Sequence, residues 1–399
     1  MITSSYPKFP GDVTAPFIES IALGVADRGH TVDVVLPHHP ELRRGPSEPV
    51  RFFPFYYAPF ARWNLWGYAQ SLEADVRVRR RAYLLAPLVA LSLRREVGRL
   101  LRERRYDVVH VHWVVPNAAL VADMTRSLRV PLVVSLHGSD VFLAERLRPL
   151  GRLAGTALAG AGTVTACSGD LARRAVRLGA RPGRTRTIPY GVDAAAFAPR
   201  ADADALRAQL GLPRDRFLVL AFGRLVEKKG FRHLIDAVAQ TPDVALALAG
   251  SGDLRGALAE QAGRLSLPVH FLGDLARPAM AAAIAAADVV AIPSVVDRAG
   301  NVDGLPNALL EALAAGRPIV ASRLAGIPDV VSDDREALLV PPKDPRALAA
   351  ALGRLRDEPA TRARLGAAAR RLALANLTWE AASAQFEDAY AQATALEAG

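Results

Sequence analysis

Short apolar runs alternate along this chain with longer segments of helical periodicity, and after one interruption the same alternation starts again. A strand followed by a helix before the next strand has no hairpin partner, so the pattern predicts parallel α/β units. In the first half Thr31–Leu36, Asp107–Val114, Pro131–Leu136 and Gly162–Ala166 read as strands. In the second half the strands are Phe217–Phe222, Val244–Ala249, Val269–Leu272, Asp288–Ile292, Pro318–Ala321 and Ala337–Val340. A stretch rich in Pro, Gly and Arg from Ala180 to Arg200 separates them and has the composition of a linker. With 399 residues the chain exceeds what one ordinary core holds. The expected organisation is an N-terminal Rossmann-like domain at 1–180, a linker at 181–200, a C-terminal Rossmann-like domain at 201–376 and a terminal helix at 377–399. Thr378 is placed to cap that helix, and Trp379, Phe386 and Tyr390 fall at helical spacing, with length enough to return to the first domain. The opening is irregular, since only Met1 and Ile2 precede the polar Thr3-Ser4-Ser5 turn. Either the chain starts upstream or Ile2–Ser4 forms a stub of strand between two longer neighbours.

Composition narrows the partners. Apolar residues make up 51% of the chain, yet no apolar run reaches the ~20 residues that cross a bilayer. The longest, Ala82–Leu93, carries Pro87 and is flanked by arginines, which suits a buried or interfacial helix. No signal peptide precedes it, and the single cysteine, Cys167, agrees with a reducing, cytoplasmic setting. The net charge of +10 is concentrated: residues 43–105 hold 14 arginines, no lysine and five acids. The same region carries Phe52, Phe53, Phe55, Tyr56, Tyr57, Phe60, Trp63, Trp66 and Tyr68. Cations beside amphipathic rings suit the inner face of a membrane or a lipid-linked partner, with Arg77, Arg79, Arg80 and Arg81 as contacts to anionic lipid. A solvated arginine-rich helix beside an aromatic core is the alternative. Zinc-finger spacing, helix-turn-helix cues and RNA-binding signatures are absent, so nucleic acid is not an expected partner. Nothing in the sequence encodes an oligomeric state legibly.

Two segments carry chemistry. Phe222-Gly223-Arg224-Leu225-Val226-Glu227-Lys228-Lys229-Gly230 follows the first strand of the second half and opens a helix. Such a turn presents backbone N–H groups and the positive end of a helix dipole, and here it adds cations, a combination that fits a diphosphate. Read alone, it is also compatible with a polar loop whose cations are solvated. In Asp303-Gly304-Leu305-Pro306-Asn307-Ala308-Leu309-Leu310-Glu311, two acids eight positions apart bracket a turn and a helix start. Carboxylates there can accept from sugar or ribose hydroxyls, although a helical glutamate is ordinarily a solvated surface residue.

With these segments in this order the chain resembles glycosyltransferase family 4, retaining enzymes of GT-B fold. Ser4-Ser5-Tyr6-Pro7, Phe9-Pro10-Gly11-Asp12, His137-Gly138-Ser139-Asp140, Cys167-Ser168, Pro189-Tyr190-Gly191-Val192-Asp193 and Ala312 through Ala321 extend the resemblance over essentially the whole chain. It implies two Rossmann-like domains facing a cleft. It further implies that Arg224 and Lys229 neutralise the donor diphosphate in place of a metal ion, and that Glu311 binds the nucleotide ribose. Asp303 matches the acid that contacts the donor sugar, normally a glutamate, so this chain is one methylene shorter there. Gly11 maps to the N-terminal phosphate loop and His137 to the cleft histidine against the donor sugar. Gly250, Gly252, Leu272 and Gly273 fall where the family forms the nucleoside pocket. Gly304, Leu305, Pro306, Asn307 and Leu309 complete the donor site.

The expected reaction moves a hexose from a UDP- or GDP-sugar onto a hydroxyl of a glycan or lipid-linked acceptor, as in polysaccharide biosynthesis, with neither cofactor nor metal. Arg224, Lys229 and amides near Pro306–Leu309 would stabilise the leaving diphosphate. No carboxylate stands out as a nucleophile, which favours front-face attack with retention. Three rivals stay open at this point. Gly250-x-Gly252-x-x-x-Gly256 with Asp274 imitates a dinucleotide fingerprint of an NAD enzyme, but its third glycine comes one position late. A sugar-nucleotide epimerase or phosphorylase could use a similar fold, and a non-catalytic membrane-surface binding protein would explain the basic stretch alone. Asp202-Ala203-Asp204 is discounted as a metal motif because it precedes a helix, where an acid most simply caps. His110 and His112 share a strand face, one expected to pack and the other to line the cleft, and Cys167 is expected to be a buried thiol.

Overall fold

The computed structural model describes residues 1–398 except positions 13, 59, 61, 62, 64, 65, 69–71, 75, 76, 79 and 201. Within 72–83 and at 397–398 it describes the backbone alone. Arg77, Arg79, Arg80 and Arg81, expected as lipid contacts, thus have side chains outside the described residues. The chain divides into two units, Met1–Pro189 with Trp379–Gly399, and Tyr190–Thr378.

In the first unit β1 (Val32–Pro37) pairs in parallel with β2 (Val50–Phe55), while β3 (Leu72–Ala74) and β4 (Arg77–Val78) form a separate antiparallel pair. A second parallel run follows in the order β5 (Val109–His112), β6 (Leu132–Leu136), β7 (Thr163–Ala166) and β8 (Thr185–Thr187). Ile2 joins the two runs, bridging in parallel to Val35 on one side and Val111 on the other. The expected stub is therefore present but shorter than Ile2–Ser4. Thr3 Oγ1 donates to Ser5 O at 2.7 Å, so the chain is already turning there.

Strands β2, β3, β4 and β8 escaped the sequence reading. Strand β2 carries Arg51 and Pro54, which break the apolar pattern; Pro54 is tolerated because, among the described residues, β2 pairs with β1 alone and stands at an edge. Strand β8 lies inside the stretch expected as linker, and its Thr-Arg-Thr sequence is polar because it forms the opposite edge. The core beneath β1 and β2 holds Tyr6, Ile18, Ile21, Val34, Leu36 and Phe386. Phe386 belongs to the terminal helix Trp379–Ala398, which lies against the helix Pro16–Asp27 within this same unit.

The second unit is one six-stranded parallel sheet in the order β11-β10-β9-β12-β13-β14. Its strands are β9 (Phe217–Phe222), β10 (Val244–Ala249), β11 (Val269–Gly273), β12 (Val289–Ile292), β13 (Ile319–Ser322) and β14 (Leu338–Val340). Every residue of β10 and β13 is buried, which is why both read as unbroken apolar runs. Numbered by appearance, the order is 3-2-1-4-5-6. Successive connections wind outward in opposite directions from β9 and β12, so the loops at their carboxyl ends part and leave a crevice. The segments Gly223–Gly230 and 293–306 both emerge there.

Candidate active site

The turn after β9 is held by tight backbone contacts. Gly230 adopts φ +68°, and a Cβ there would lie 1.8 Å from the Pro293 carbonyl oxygen at the end of β12. Only glycine meets both conditions. Val295 N also donates to Lys228 O at 2.9 Å, fixing the lysine-bearing turn to the loop that leads to Asp303. Lys229 Nζ then lies 2.7 Å from Asp303 Oδ2, and Lys228 Nζ lies 3.1 Å from Oδ1. Burial by itself would raise the Asp303 carboxyl, but Lys229 and Lys228 outweigh it and hold the group well below the usual carboxylate range. Arg224 stands exposed at the head of the same turn, next to the fully buried Leu225.

The second motif closes the other side. Gly304, Leu305 and Pro306 are buried, and Gly304 O accepts from Gly326 N at 3.1 Å. Pro306 has no N–H, and Leu309 N donates to Pro306 O at 3.0 Å. The amides expected across Pro306–Leu309 therefore reduce to Asn307 and Ala308, whose N–H groups have no intrahelical partner at the start of the helix Asn307–Ala314. The Leu309 side chain is fully buried and serves the core. Glu311, one turn further, is half-buried. Burial pushes its carboxyl up to about 7 against the opposing pull of Arg277 and Lys229.

The loops after β10 and β11 interlock with the first motif. A Cβ on Gly250 would meet Gly223 O at 2.1 Å, and one on Gly252 would meet Leu225 O at 2.6 Å. Leu225 N donates to Ser251 O at 2.7 Å, and Gly250 N donates to Gly273 O at 2.6 Å. Gly250 and Gly252 are thus spent on backbone packing against the Arg224 turn, whereas the surroundings of Gly256 are open. This explains the imitation of a dinucleotide fingerprint. Gly250 and Gly252, with Leu272 and Gly273 at the end of β11, belong to the same second unit as Arg224, Lys229, Asp303 and Glu311.

The two remaining candidates belong to the first unit. Gly11 is exposed in the loop before the helix Pro16–Asp27, where Asp12 accepts from Lys8 N at 2.9 Å and Thr14 Oγ1 at 3.0 Å. His137 ends β6 with its ring between Phe17 (4.9 Å) and Trp113 (5.0 Å). Desolvation pulls its imidazole down to about 3, so it is neutral at ordinary pH. The buried Asp140 anchors its backbone, accepting from Val114 N at 2.8 Å and Gly138 N at 3.1 Å.

Several residues behave differently from their sequence reading. His110 and His112 both pack, with 2% and 0% exposure, so neither has the lining role expected for one of them. Asp202 precedes the helix Ala203–Gln209 but does not cap it; its carboxylate pairs with Arg200 at 2.6 Å instead. Cys167 is buried as expected. Sequence reasoning gave no role to Lys228, Arg277 or Asp140. The doubled lysine pointed to the first; no local pattern marks Arg277, which reaches Glu311 through the fold. Among the described residues no three His, Cys, Asp or Glu side chains are placed to share a metal ion.

Comparison with known proteins agrees with this architecture. The model "Glycosyltransferase Family 4" matches residues 15–196 and "Glycosyl transferases group 1" matches 216–358. A D-inositol 3-phosphate glycosyltransferase of Xylanimonas cellulosilytica is 36% identical over 78% of this chain and 77% of its own. A GDP-mannose-dependent α-(1-6)-phosphatidylinositol monomannoside mannosyltransferase of Mycolicibacterium smegmatis is 33% identical over 76% and 80%. Among solved structures, sucrose-phosphate synthase from Thermosynechococcus elongatus superposes with TM-score 0.79 at 24% identity over 99% and 98% of the two chains. Anabaena HepE in complex with UDP gives TM-score 0.76 at 23% identity over 98% of each. Both place the fold in the GT-B class. The chain belongs to the group 1 glycosyl transferases of glycosyltransferase family 4, enzymes that move a sugar from a nucleotide-sugar onto an acceptor.

Proposed function

We propose that this enzyme is a retaining hexosyltransferase that uses a UDP- or GDP-sugar without a metal ion and acts on a hydroxyl of a glycan or lipid-linked acceptor. The observation that carries the reading is the pairing of Lys228 and Lys229 with Asp303 at the switch point of the second sheet, on the turn that also carries Arg224. Cleavage of the anomeric C–O bond leaves negative charge on the diphosphate and positive character on the ring. Arg224, Lys229 and the N–H groups of Asn307 and Ala308 meet that leaving charge, and preorganised donors of this kind contribute a few kcal/mol each. Lys228 holds Asp303, and Asp303 faces the sugar end of the donor. Glu311 accepts from the ribose, Gly250 through Gly273 shape the nucleoside pocket, and Gly11 and His137 contribute from the first unit. The acceptor hydroxyl attacks from the face the diphosphate leaves and passes its proton to a leaving phosphate oxygen. Phosphorylated inositols and inositol-headed lipids are the first acceptors to test, since the names of relatives at 33–36% identity specify such substrates.

Nucleotide release should require both a UDP- or GDP-sugar and an acceptor, persist in a chelator, and give a product with the donor's anomeric configuration by NMR. An inverted product, or activity abolished by chelator and restored by manganese, defeats the reading.

A peripheral membrane contact at the inner face is a second proposal. No described helix is long and apolar enough to cross a membrane. On the helix Arg80–Glu103, however, Leu84, Leu88 and Leu91 are 79%, 44% and 65% exposed at spacings that put them on one face. Tyr56 and Trp63 are exposed nearby in sequence. An apolar stripe within an arginine-rich region fits an anionic lipid surface. Leu84→Ser with Leu88→Ser should reduce co-sedimentation with phosphatidylglycerol vesicles, and unchanged sedimentation removes this contact.

A further inference from the structure

Three of the six histidines of the first unit, His110, His112 and His137, pack against one another in a row. His112 Nδ1 lies 3.1 Å from His137 Nε2, and the rings stack at 5.3 Å with 25° between planes. His110 lies on the other side of His112, ring centroids 4.2 Å apart. Both nitrogens of His110 are engaged, Nδ1 with Tyr390 OH at 2.8 Å and Nε2 with Ser135 Oγ at 2.6 Å. The remaining nitrogen, His112 Nε2, is buried and meets no acceptor among the described residues.

That asymmetry decides where the protons are. Both His112 and His137 are neutral, because burial pulls each imidazole down. Each ring therefore carries one N–H, and one proton lies between Nδ1 of His112 and Nε2 of His137. If His137 donated it, the proton of His112 would sit on Nε2 as a buried N–H without an acceptor, which folded proteins very rarely tolerate. If His112 donates it, Nε2 is a bare ring nitrogen packed among rings, and the orphan donor disappears. Which ring nitrogen carries the proton is set by the bond the other one makes.

We infer that His112 is a positioning residue: its Nδ1–H donates to His137 Nε2 and locks His137 as the Nδ1–H tautomer. His137 then has one ring donor, on the edge away from His112. Resting on the proposed placement of His137 against the donor, this fixes Nδ1 as its one protonated ring nitrogen and removes it from consideration as a base through Nε2.

The test reads the proton directly. In the full chain carrying 15N-labelled histidine, long-range proton–nitrogen correlation should show His137 with a pyrrole-type Nδ1 and a pyridine-type Nε2. His112→Leu should return His137 to a mixture of tautomers and lower kcat by about tenfold, the most that one lost net hydrogen bond gives, with little change in KM for the donor. His112→Asn, whose Nδ2–H falls near the position of the imidazole Nδ1, should restore both tautomer and turnover. A pyridine-type Nδ1 on wild-type His137, or an unaltered His137 pattern in folded His112→Leu, overturns the inference. If His112→Leu does not fold, the wild-type spectrum and His112→Asn decide. A tautomer that shifts as described while kcat stays constant would leave the positioning bond standing and defeat the donor-site role of His137 instead.

Discussion

Replacing Lys229 by alanine separates the catalytic from the structural value of the cation cluster. In the free enzyme Lys229 and Lys228 share Asp303 at 2.7 and 3.1 Å. Orphaning a buried carboxylate costs about 3–5 kcal/mol, but Lys229→Ala leaves Lys228 in place. The expected stability loss is therefore nearer 1–2 kcal/mol, the value of one charge-assisted bond. In the proposed reaction Lys228 stays on Asp303 and does not replace Lys229 at the departing diphosphate. Loss of one preorganised group there lowers kcat by about 10²–10³-fold, or roughly 3–4 kcal/mol of transition-state stabilisation. Initial rates of nucleotide release at saturating donor, together with urea unfolding, measure both quantities on one sample. The double variant Lys228→Ala, Lys229→Ala should lose the full ~3–5 kcal/mol because Asp303 then has no partner. A single variant that keeps kcat within about threefold, under 1 kcal/mol of barrier, or that unfolds as readily as the double variant, would refute the reasoning.

Three other outcomes follow from the same site. Asp303→Asn removes the anion that competes with a diphosphate for Lys229, so free UDP or GDP should bind more tightly by calorimetry while turnover falls through slow release; weaker binding contradicts this. Glu311, pushed up to about 7 from an unfolded value near 4.3, holds a proton that stabilises the fold fully below pH 4.3. That contribution is lost as pH rises through 7, so Glu311→Gln should match the wild type at pH 4 and exceed it above pH 7 by about 1–3 kcal/mol in chemical unfolding. Gly230→Ala must place a Cβ against the Pro293 carbonyl at positive φ; it should lose roughly 2–4 kcal/mol of stability, and a neutral effect would show that this turn is not held as described.

The second sheet was readable almost residue by residue because its inner strands are buried on both faces and carry uninterrupted apolar runs, as in Val244–Ala249. The polar edge strands of the first unit were not readable. Strand β2 hides behind Arg51 and Pro54, and β8 behind Thr185-Arg186-Thr187, since an edge exposed to water needs no apolar signature. The site divides in the same way. Arg224, Lys229, Asp303 and Glu311 stand in contiguous motifs whose charge is visible in the sequence. The pairing of Lys228 with Asp303, 75 positions away, is created by the 3-2-1-4-5-6 strand order, and so is the field of Arg277 at Glu311. The support of His137 by His112 depends on β5 and β6 being neighbours with His112 opposite Ser135, a register that no single strand reveals.

The charges of the proposed donor site favour exchange over mere attraction. Arg224, Lys228 and Lys229 against one ionised Asp303 leave an excess of positive charge that matches a pyrophosphate bearing one negative charge on each phosphate. Without an internal anion Lys228 and Lys229 would repel one another and destabilise the free enzyme, as uncompensated charges out of water do. Asp303 prevents this by holding both ammonium groups when no donor is bound. It also sets a limit on donor affinity, because every diphosphate that arrives must compete for Lys229.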